Sequence, residues 1–374
     1  MSENNTAYVS FGLLERFMEA ALEKAGVPAG DARQVARVLG KADQLGIDSH
    51  GINRLKPIYL DRIRDGILNP VTEVELVRES PTTAVFDGHN GMGHVVATRA
   101  METAIEKAEA LGMGMSAVRN STHYGIAGYY ALMAAEKNMI GITGTNARPS
   151  IAPTFGVENM MGTNPLTFAI PTDEEFPFLL DCATSVIQRG KIEYYARNNM
   201  PTPSGLVIGH DGQDMTDSQE ILKALVDGQA ALVPLGGPGE ERGGYKGYGY
   251  AAVVEILSAA LAGGSFMRML TGIGPEGEKI PYPLGHFFIA IRVENFIDPA
   301  EFRKITGDIL RDLRGSRKAP GADRIFTAGE KEYEQFRIRS RQGVPIGPDL
   351  QQEILGIIRE YGLEGFEFPF GGSN

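Results

Sequence analysis

The chain has 374 residues, of which 43% are hydrophobic and 22% charged, and its formal net charge is −11. That length allows one large or two ordinary domains with real cores, and the acidic balance argues against a nucleic-acid or anionic-membrane partner. A single cysteine, Cys182, excludes an internal disulfide and a thiolate zinc site. No apolar run approaches the ~18 residues of a membrane span, and residues 1–10 lack the apolar core of a signal peptide. We therefore expect a soluble, cytoplasmic protein.

Hydrophobic periodicity and glycine stops predict three helices at the start of the chain, Phe11–Lys24, Asp31–Leu45 and His50–Asp65. The middle alternates short strands with helices, and the end is helical again. Strands are predicted at 74–77, 83–86, 115–118, 140–143, 165–170, 178–182 and 286–293, and the later helices at 94–111, 125–137, 184–197, 246–262, 299–313, 331–341 and 349–360. This order predicts an α+β fold: a helical domain formed by both chain ends (1–78 with 299–374) around a mixed-sheet α/β domain (79–298).

The first candidate site is the stretch Asp48–Arg54. If it heads a helix capped by Ser49 or Asp48, then His50 and Arg54 lie one turn apart on one face. An imidazole exchanges protons near neutral pH, and a guanidinium holds a carboxylate through two parallel hydrogen bonds. The pair suits a small carboxylate substrate that gains or loses a proton. A structural histidine and a solvent-facing arginine would explain the same spacing.

Two further segments suit a bound anion. Arg119–Tyr130 leaves a strand and enters a helix at Gly125, where free backbone N–H groups favour a phosphate. His123 stands at that turn, either as a chemical group or as a structural hydrogen-bond partner. The glycine-rich approach to Lys246 also has the anatomy of an anion cradle, although it lacks the Ser or Thr of a Walker loop.

Polar side chains also stand where predicted strands end, which is where open sheets usually collect ligands. These are Thr145, Asn146, Thr163 and Asn164. Farther along, Arg189 and Lys191 flank Gly190, and two cations so placed would hold a second substrate carboxylate. A solvated charge pair is the alternative explanation.

A Rossmann dinucleotide site and a catalytic metal are not supported. Gly91–Gly93 follows a strand and opens a helix, but Val96 replaces the third glycine of the fingerprint, and the acidic ribose ligand is missing. The six histidines form no H-E-x-x-H motif, and the chain has no G-x-S-x-G elbow. Glycine-lined anion sites with a histidine and an arginine therefore favour a cofactor that carries the chemistry itself.

Six segments in register resemble the malate/L-lactate dehydrogenase family, which is unrelated to the Rossmann-fold lactate and malate dehydrogenases. They are Asp48–Arg54, Asp87–Gly93, Arg119–Tyr130, Gly162–Pro165, Leu180–Ser185, and Pro234–Gly237 with Tyr245–Gly249. The resemblance spans nearly the whole chain and implies NAD or NADP bound by the middle domain without a Rossmann fold, usually in a homodimer. It also implies that a small anionic 2-hydroxy acid is interconverted with its 2-oxo acid.

The resemblance assigns roles by position. Ser49 and His50 match the family's proton-transferring pair, and Arg54 matches its ligand for the substrate carboxylate; in some members the histidine at His123 is itself taken as the base. The other substrate positions are Thr163, Arg189, Gly190 and Lys191. The cofactor positions are His123, Tyr124, Gly125, Ile126, Ala127, Asp181, Cys182, Ala183, Tyr245, Lys246, Gly329 and Glu330.

Lys191 favours one substrate within the family. Imino-acid reductases of the family carry an aspartate at this position, and a lysine suits an extra substrate carboxylate better than proton relay to an imine. We therefore expect malate. Lactate, sulfolactate and ureidoglycolate dehydrogenases and cyclic imino-acid reductases remain alternatives, and a cofactor-binding protein without activity is a more distant one.

Overall fold

The computed structural model describes residues 5–371, so the first four and last three residues of the predicted helical domain lie outside the described part. The helices are α1 (Phe11–Lys24), α2 (Ala29–Gln44), α3 (Asp61–Arg64), α4 (Gly93–Leu111), α5 (Ala127–Ala135), α6 (Arg189–Arg197), α7 (Ser218–Val226), α8 (Gly244–Ala259), α9 (Pro299–Gly315), α10 (Glu330–Gln342) and α11 (Pro348–Tyr361). The strands are β1 (Ala7–Val9), β2 (Glu75–Glu79), β3 (Thr83–Asp87), β4 (Met113–Ser121), β5 (Met139–Thr145), β6 (Leu166–Ile170), β7 (Phe178–Cys182), β8 (Val207–Gly209), β9 (Ala230–Leu232), β10 (Leu284–Arg292) and β11 (Val344–Ile346).

The largest sheet within residues 5–371 has seven strands in the order β2-β3-β4-β10-β5-β6-β7. β3 and β4 run parallel, whereas the other neighbouring pairs are antiparallel. Phe288 and Ala290 of the central strand β10 pack with side chains of α4 and α5 in one buried cluster, and α8 also contacts β4, β5 and β10. This mixed sheet with a single parallel pair confirms the predicted α+β fold without a Rossmann sheet.

Segments from both chain ends share a hydrophobic core. Ser10 caps α1 by accepting a hydrogen bond from the backbone N–H of Leu13, and Phe17 packs edge-on against Phe366 and Phe368 at 5.6 and 5.2 Å. β1 pairs with β11. α9 lies elsewhere: Arg311 pairs with Asp173 in the turn between β6 and β7. The domain boundaries proposed from the sequence stay a prediction.

The predicted helix at His50–Asp65 is wrong. Asp48–His50 and Ile52–Arg54 form separate 3₁₀ turns, Leu55–Leu60 is π-helical, and α3 begins only at Asp61. Gly51, with ψ near −146°, separates the two turns, and Pro57 has no N–H to donate to a regular helix. His50 and Arg54 therefore do not share a helical face, and neither Asp48 nor Ser49 acts as a helix cap.

The predicted helix at 184–197 starts late, at Arg189. Before it, the backbone N–H of Thr184 donates to the carbonyl of Thr163, and Ser185 forms an isolated bridge with Pro234. The strands β1, β8, β9 and β11 were not predicted from the sequence because each has only three residues. The helix α7 was missed as well, although Asp217 caps it and Ile221 is buried on one of its faces. Within the described residues, no helix is long and apolar enough to cross a membrane.

Candidate active site

Ser49 and His50 lie on a loop, residues 48–54, that joins α2 to the helical stretch before α3. The Oγ of Ser49 lies 2.9 Å from Nδ1 of His50, and Nε of Arg54 donates to the carbonyl oxygen of Ser49 at 2.5 Å. Burial, and then the charge of Arg54, lower the pKa of His50 to about 4. At pH 7 the ring is therefore neutral, and one ring nitrogen has a free lone pair.

The 48–54 loop is anchored to α2 and α10. The backbone N–H of Ile52 donates to Oδ2 of buried Asp43 at 2.9 Å, and a Cβ on Gly51 would lie 1.7 Å from Oδ1 of the same carboxyl group. Arg339 donates to the carbonyl of Asp43 at 2.7 Å and holds both carboxylate oxygens of Asp48, at 2.5 and 2.9 Å. Burial raises the pKa of Asp43 to about 8.

His123 faces His50 across the site. The two rings are stacked, with centroids 5.6 Å apart and planes inclined by 19°. Nδ1 of His123 lies 2.5 Å from the Tyr59 hydroxyl and accepts from the backbone N–H of Gly125 at 3.3 Å. Burial, followed by the charges of His50 and other neighbours, holds the pKa of His123 well below its usual range. His123 is therefore also neutral at pH 7.

The hydrogen bonds of His123 fix its tautomer. A backbone N–H only donates, so Nδ1 of His123 is an acceptor, and the Tyr59 hydroxyl must donate to it. The neutral ring then carries its proton on Nε2. The Tyr59 oxygen lies 3.2 Å from Nε2 of His94 and can accept from it. The lone pair of His123 is thus occupied by Tyr59 and Gly125.

Arg54 lies within electrostatic reach of both histidines, because its charge contributes to lowering the pKa of each. Among residues 5–371, no carboxylate lies within 4.0 Å of its nitrogens. Its two terminal nitrogens therefore remain available to an anionic ligand. Two neutral histidines, a serine hydroxyl and a free guanidinium suit proton transfer to or from a bound carboxylic acid.

A sequence profile of the malate/L-lactate dehydrogenase family matches residues 9–355. The chain belongs to this family. It is 43% identical over 349 residues to malate dehydrogenase of Pyrococcus horikoshii, covering 93% of this chain and 94% of that one. It is 38% identical over 342 residues to L-sulfolactate dehydrogenase of Methanocaldococcus jannaschii, with 91% and 94% coverage. The crystal structure of malate dehydrogenase from Entamoeba histolytica superposes with a TM-score of 0.93, at 45% identity, over 98% of this chain and all of that one.

These matches confirm the resemblance seen in the six sequence segments. As a member of the malate/L-lactate dehydrogenase family, the chain is an oxidoreductase. Membership of a dehydrogenase family also implies a nicotinamide cofactor. The structure can be tested for residues that fit such a group, whose phosphates are anionic.

The start of α5 is a candidate contact for that cofactor, although part of its first turn is already taken. The Ile126 side chain does not cap this helix, but the carboxylate of Asp181 accepts from the first-turn N–H of Gly128, which leaves the N–H of Ala127 for an anion. Gly125 has φ 80°, and a Cβ there would lie 2.8 Å from Val38. Asp181 accepts from the N–H of Gly128 at 2.7 Å, which ties the end of β7 to α5.

A cavity of about 350 Å³ lies at the C-terminal half of α5, between α2, α5, β7 and α10. Its lining includes Lys41, Leu132, Leu179, Gly329, Glu332 and Phe336. The N–H of Leu179 donates to the carbonyl of Ala328 at 3.3 Å, which joins the head of α10 to β7. The predicted cofactor position Gly329 thus lies beside a cavity with apolar and charged walls, whereas Asp181, farther along β7, does not line it.

The side chains of some predicted cofactor residues make other contacts in the fold. Tyr124 is 3% exposed, and its ring is stacked between His286 at 4.4 Å and Tyr130 at 4.9 Å, so its side chain belongs to the core. Glu330 accepts from the backbone N–H and hydroxyl of Thr327. Ala183 is buried and Cys182 is half-buried, whereas Tyr245 and Lys246 are exposed on the first turn of α8.

The polar side chains at strand ends are mostly structural, which corrects the expectation for Asn146 and Asn164. Buried Glu255 of α8 accepts from the side-chain amides of both, at 3.4 and 2.7 Å. Thr145 is likewise buried and bonds to backbone carbonyls. Thr163 is half-buried and stays a candidate for substrate contact.

The cations of α6 have partners of their own. Nε of Arg189 pairs with Glu193 at 3.0 Å, one turn along the helix, and Nζ of Lys191 lies 4.6 Å from the ring centroid of Tyr194. No hydrogen bond or ion pair within residues 5–371 joins Arg189, Gly190 or Lys191 to His50, His123 or Arg54. The two histidines and Arg54 thus form one group, and the α6 cations contact neighbours within α6.

The site also contains residues that sequence reasoning missed. Tyr59, Asp43 and Arg339 each bond to a segment that carries a site histidine. Nothing local marked them: Tyr59 stands in an apolar run typical of a core, and Asp43 and Arg339 occupy ordinary helical positions. An unusual feature that could have drawn attention is Pro57, since a proline so close to a supposed helix interior indicates an irregular backbone.

Proposed function

We propose that this chain oxidises a 2-hydroxy acid, with malate the best substrate, to its 2-oxo acid with NAD or NADP, and catalyses the reverse. The stacked pair of neutral histidines beside the free guanidinium of Arg54 carries this proposal. The names of its relatives support it: proteins 43% and 45% identical to this chain are malate dehydrogenases. An L-sulfolactate dehydrogenase is 38% identical to this chain and indicates sulfolactate as a related substrate.

In this proposal His50 is the group that takes the hydroxyl proton. In this role Nδ1–H of His50 donates to Oγ of Ser49, 2.9 Å away, so Nε2 presents the lone pair. A pKa of about 4 keeps the ring neutral and able to accept a proton at pH 7. Arg54 holds the C1 carboxylate in a bidentate pair and orients C2. A bound nicotinamide cofactor would supply the hydride acceptor for C2.

His123 acts as a hydrogen-bond donor in this arrangement. Because Tyr59 and Gly125 occupy Nδ1, the ring presents Nε2–H to the site. That N–H stabilises the oxygen on C2 as the carbonyl forms, and it cannot serve as the base in this tautomer. The hydrogen-bond partners of the two histidines support this choice of base.

The remaining assigned positions are proposals of the same kind. Thr163, Arg189, Gly190 and Lys191 are expected on the substrate side. The cofactor is expected to contact His123, Gly125, Ile126, Ala127, Asp181, Cys182, Ala183, Tyr245, Lys246, Gly329 and Glu330, and the backbone of Tyr124. A cytoplasmic location stays a prediction from the cysteine count.

A homodimer is supported by the outer face of α8. Tyr250, Val253 and Ile256 are 57%, 46% and 59% exposed on this helix, and an apolar patch of this kind favours association between copies. Light scattering of the purified protein tests this proposal, with Ile256→Glu expected to shift the mass toward the monomer. A wild-type mass equal to one chain would contradict it.

The function is tested by comparing His50→Ala with His123→Ala. Removing a general base typically lowers kcat about 10²–10⁴-fold, and we expect this for His50→Ala with malate and NAD or NADP. We expect a smaller loss, roughly tenfold, for His123→Ala because only a hydrogen bond is removed. Both variants should still change the fluorescence of NADH when they bind it, and this change would show that the cofactor site is intact.

The reverse order of losses would make His123 the base. Oxaloacetate, pyruvate, sulfopyruvate and cyclic imino acids, each offered with NADH and NADPH, determine the substrate class and the cofactor. Faster turnover of pyruvate than of oxaloacetate would contradict the proposal for malate.

A further inference from the structure

Two arginines that share one aromatic ring have no carboxylate partner within the described residues. The guanidinium carbons of Arg62 and Arg148 lie 4.6 and 5.6 Å from the centroid of the same ring, that of Tyr282. Arg62 is half-buried on α3, and Arg148 is exposed in the segment after β5. Within residues 5–371, neither guanidinium makes an ion pair or a hydrogen bond.

The neighbouring arginines behave differently. Arg64, two residues after Arg62, pairs with Asp61 and Glu360, and Arg119 pairs with Asp87 at 2.8 Å. In a chain with a net charge of −11, carboxylates are abundant. Leaving two guanidinium groups free on one ring therefore creates a local positive field that suits an anionic ligand.

Arg62 belongs to the surroundings of His123. Tyr59, whose hydroxyl bonds to His123, precedes Arg62 by one helical turn. The charges of Arg62 and Arg54 both act to lower the pKa of His123 and of Tyr59, and Tyr282 also acts on Tyr59. Arg54, Arg62 and Tyr282 therefore lie around Tyr59. Arg148 joins this group through its contact with the ring of Tyr282.

We propose that Arg62 and Arg148, positioned by Tyr282, bind the second anionic group of the substrate, a carboxylate or a sulfonate. The proposal rests on the proposed function, in which Arg54 takes the C1 carboxylate. It makes the enzyme selective for 2-hydroxy acids with two anionic groups over lactate, which has one. It also moves this role away from Arg189, whose guanidinium is paired with Glu193.

The test compares malate, sulfolactate and lactate in Arg62→Gln and Arg148→Gln. Loss of a charge-assisted hydrogen bond should raise KM for malate about tenfold to a hundredfold, with kcat changed far less. KM for sulfolactate should rise by the same factor as KM for malate if the subsite binds any terminal anion. A smaller rise for sulfolactate than for malate would mean that the subsite prefers a carboxylate to a sulfonate, and it also supports the subsite. KM for lactate should stay within about twofold of wild type.

Two matched arginine variants complete the design. Arg64→Gln removes a charge from the same helix that is already paired, and should leave all three KM values unchanged. Arg189→Gln tests the competing position. Thermal unfolding checks that each variant folds. Arg148→Gln changes an exposed side chain, so we expect it to fold like the wild type.

An unchanged malate KM in both Arg62→Gln and Arg148→Gln, or a rise seen with Arg189→Gln in their place, overturns the subsite. A parallel rise for lactate overturns it too, because a general effect on the site would then explain the result. A wild-type protein that turns over none of these acids would contradict the proposed function itself, which separates the two failures.

Discussion

The two histidines of the site sit on segments that are held in different ways. The 48–54 loop with His50 is held by ionisable side chains. Arg339 of α10 clasps the carboxylate of Asp48, and the buried carboxyl group of Asp43 accepts the N–H of Ile52. These partners are ionisable and come from elements remote in sequence.

The turn with His123 is held by packing. Tyr124, its neighbour, is stacked in the core against His286, and a Cβ on Gly93 would lie 2.2 Å from the carbonyl oxygen of Thr122, so the start of α4 presses directly on the turn. Close packing resists displacement whatever the pH. The comparison teaches that one half of the site depends on ionisation and the other does not, which the following variants test.

The largest effect is expected from Gly51→Ala. The new Cβ would lie 1.7 Å from Oδ1 of Asp43, so the loop or the carboxyl group must move. Overpacking of this kind typically destabilises by 1–3 kcal/mol, and we expect roughly 3 kcal/mol in urea unfolding, with loss of turnover but retained NADH binding. Gly30→Ala is the control, since a Cβ there meets nothing within 4 Å.

A double variant sharpens this result. Replacing Asp43 by Ala in the Gly51→Ala background removes the obstructing carboxyl group, so the two changes should destabilise less than the sum of their separate effects. Strict additivity, or a Gly51→Ala protein as stable as Gly30→Ala, would mean that Asp43 does not position the loop.

The helices at the two chain ends could be predicted because their apolar periodicity is local. The predicted Phe11–Lys24 matches α1, and the predicted strand at 178–182 matches β7. The loop at 48–54 could not be predicted in the same way. Its shape depends on Gly51 meeting Asp43 and on Pro57, and the favoured helical spacing is overridden by these contacts.

The candidate site divides along the same line. Ser49, His50, Arg54 and His123 could be proposed from motif order, and the structure groups them. Tyr59, Arg62 and Arg339 could not, because their importance lies in what they touch across the fold. Motif matching also did not predict the ion pair of Arg189 with Glu193, although the two residues have the i, i+4 spacing of a helical ion pair.

A pH series on Asp43→Asn should separate the two halves next. Burial raises the pKa of Asp43 from 3.8 to about 8, so between these values the folded protein binds more protons than the unfolded chain, and this group makes stability fall as pH rises. His50 and His94 act oppositely: their pKa values are lowered from 6.5 to about 4 and 3, so their contribution is lost as pH falls below 6.5.

Asparagine keeps an oxygen for the N–H of Ile52 but does not titrate. The free energy of unfolding of wild type should therefore decline relative to Asp43→Asn from pH 6 to pH 8, by up to about 1.4 kcal/mol per pH unit. Because the histidines are common to both proteins, their effect cancels in the difference. Parallel stability curves across this range would show that Asp43 is ionised throughout and that the loop is held without a titrating anchor.

The smallest effect on stability, and the most specific one, is expected from Tyr59→Phe, because Tyr59 joins the two halves through His123. Its hydroxyl is the donor that fixes the tautomer of His123 and the acceptor for His94. Losing a buried hydroxyl should destabilise by roughly 1–2 kcal/mol. Tyr130→Phe is the matched control, since its hydroxyl bonds to the carbonyl of Tyr124 and should lower stability similarly.

Activity distinguishes the two tyrosines. Without Tyr59 the proton of His123 is free to occupy either nitrogen, so kcat should fall and its pH profile should change, whereas Tyr130→Phe should keep the wild-type profile. If both variants lose the same stability and keep the same pH profile, Tyr59 is a core residue, and the tautomer of His123 does not decide which histidine takes the proton. A pH profile that changes in Tyr59→Phe alone would support His123, on the turn held by packing, as the hydrogen-bond donor. His50, on the 48–54 loop, would then be the base.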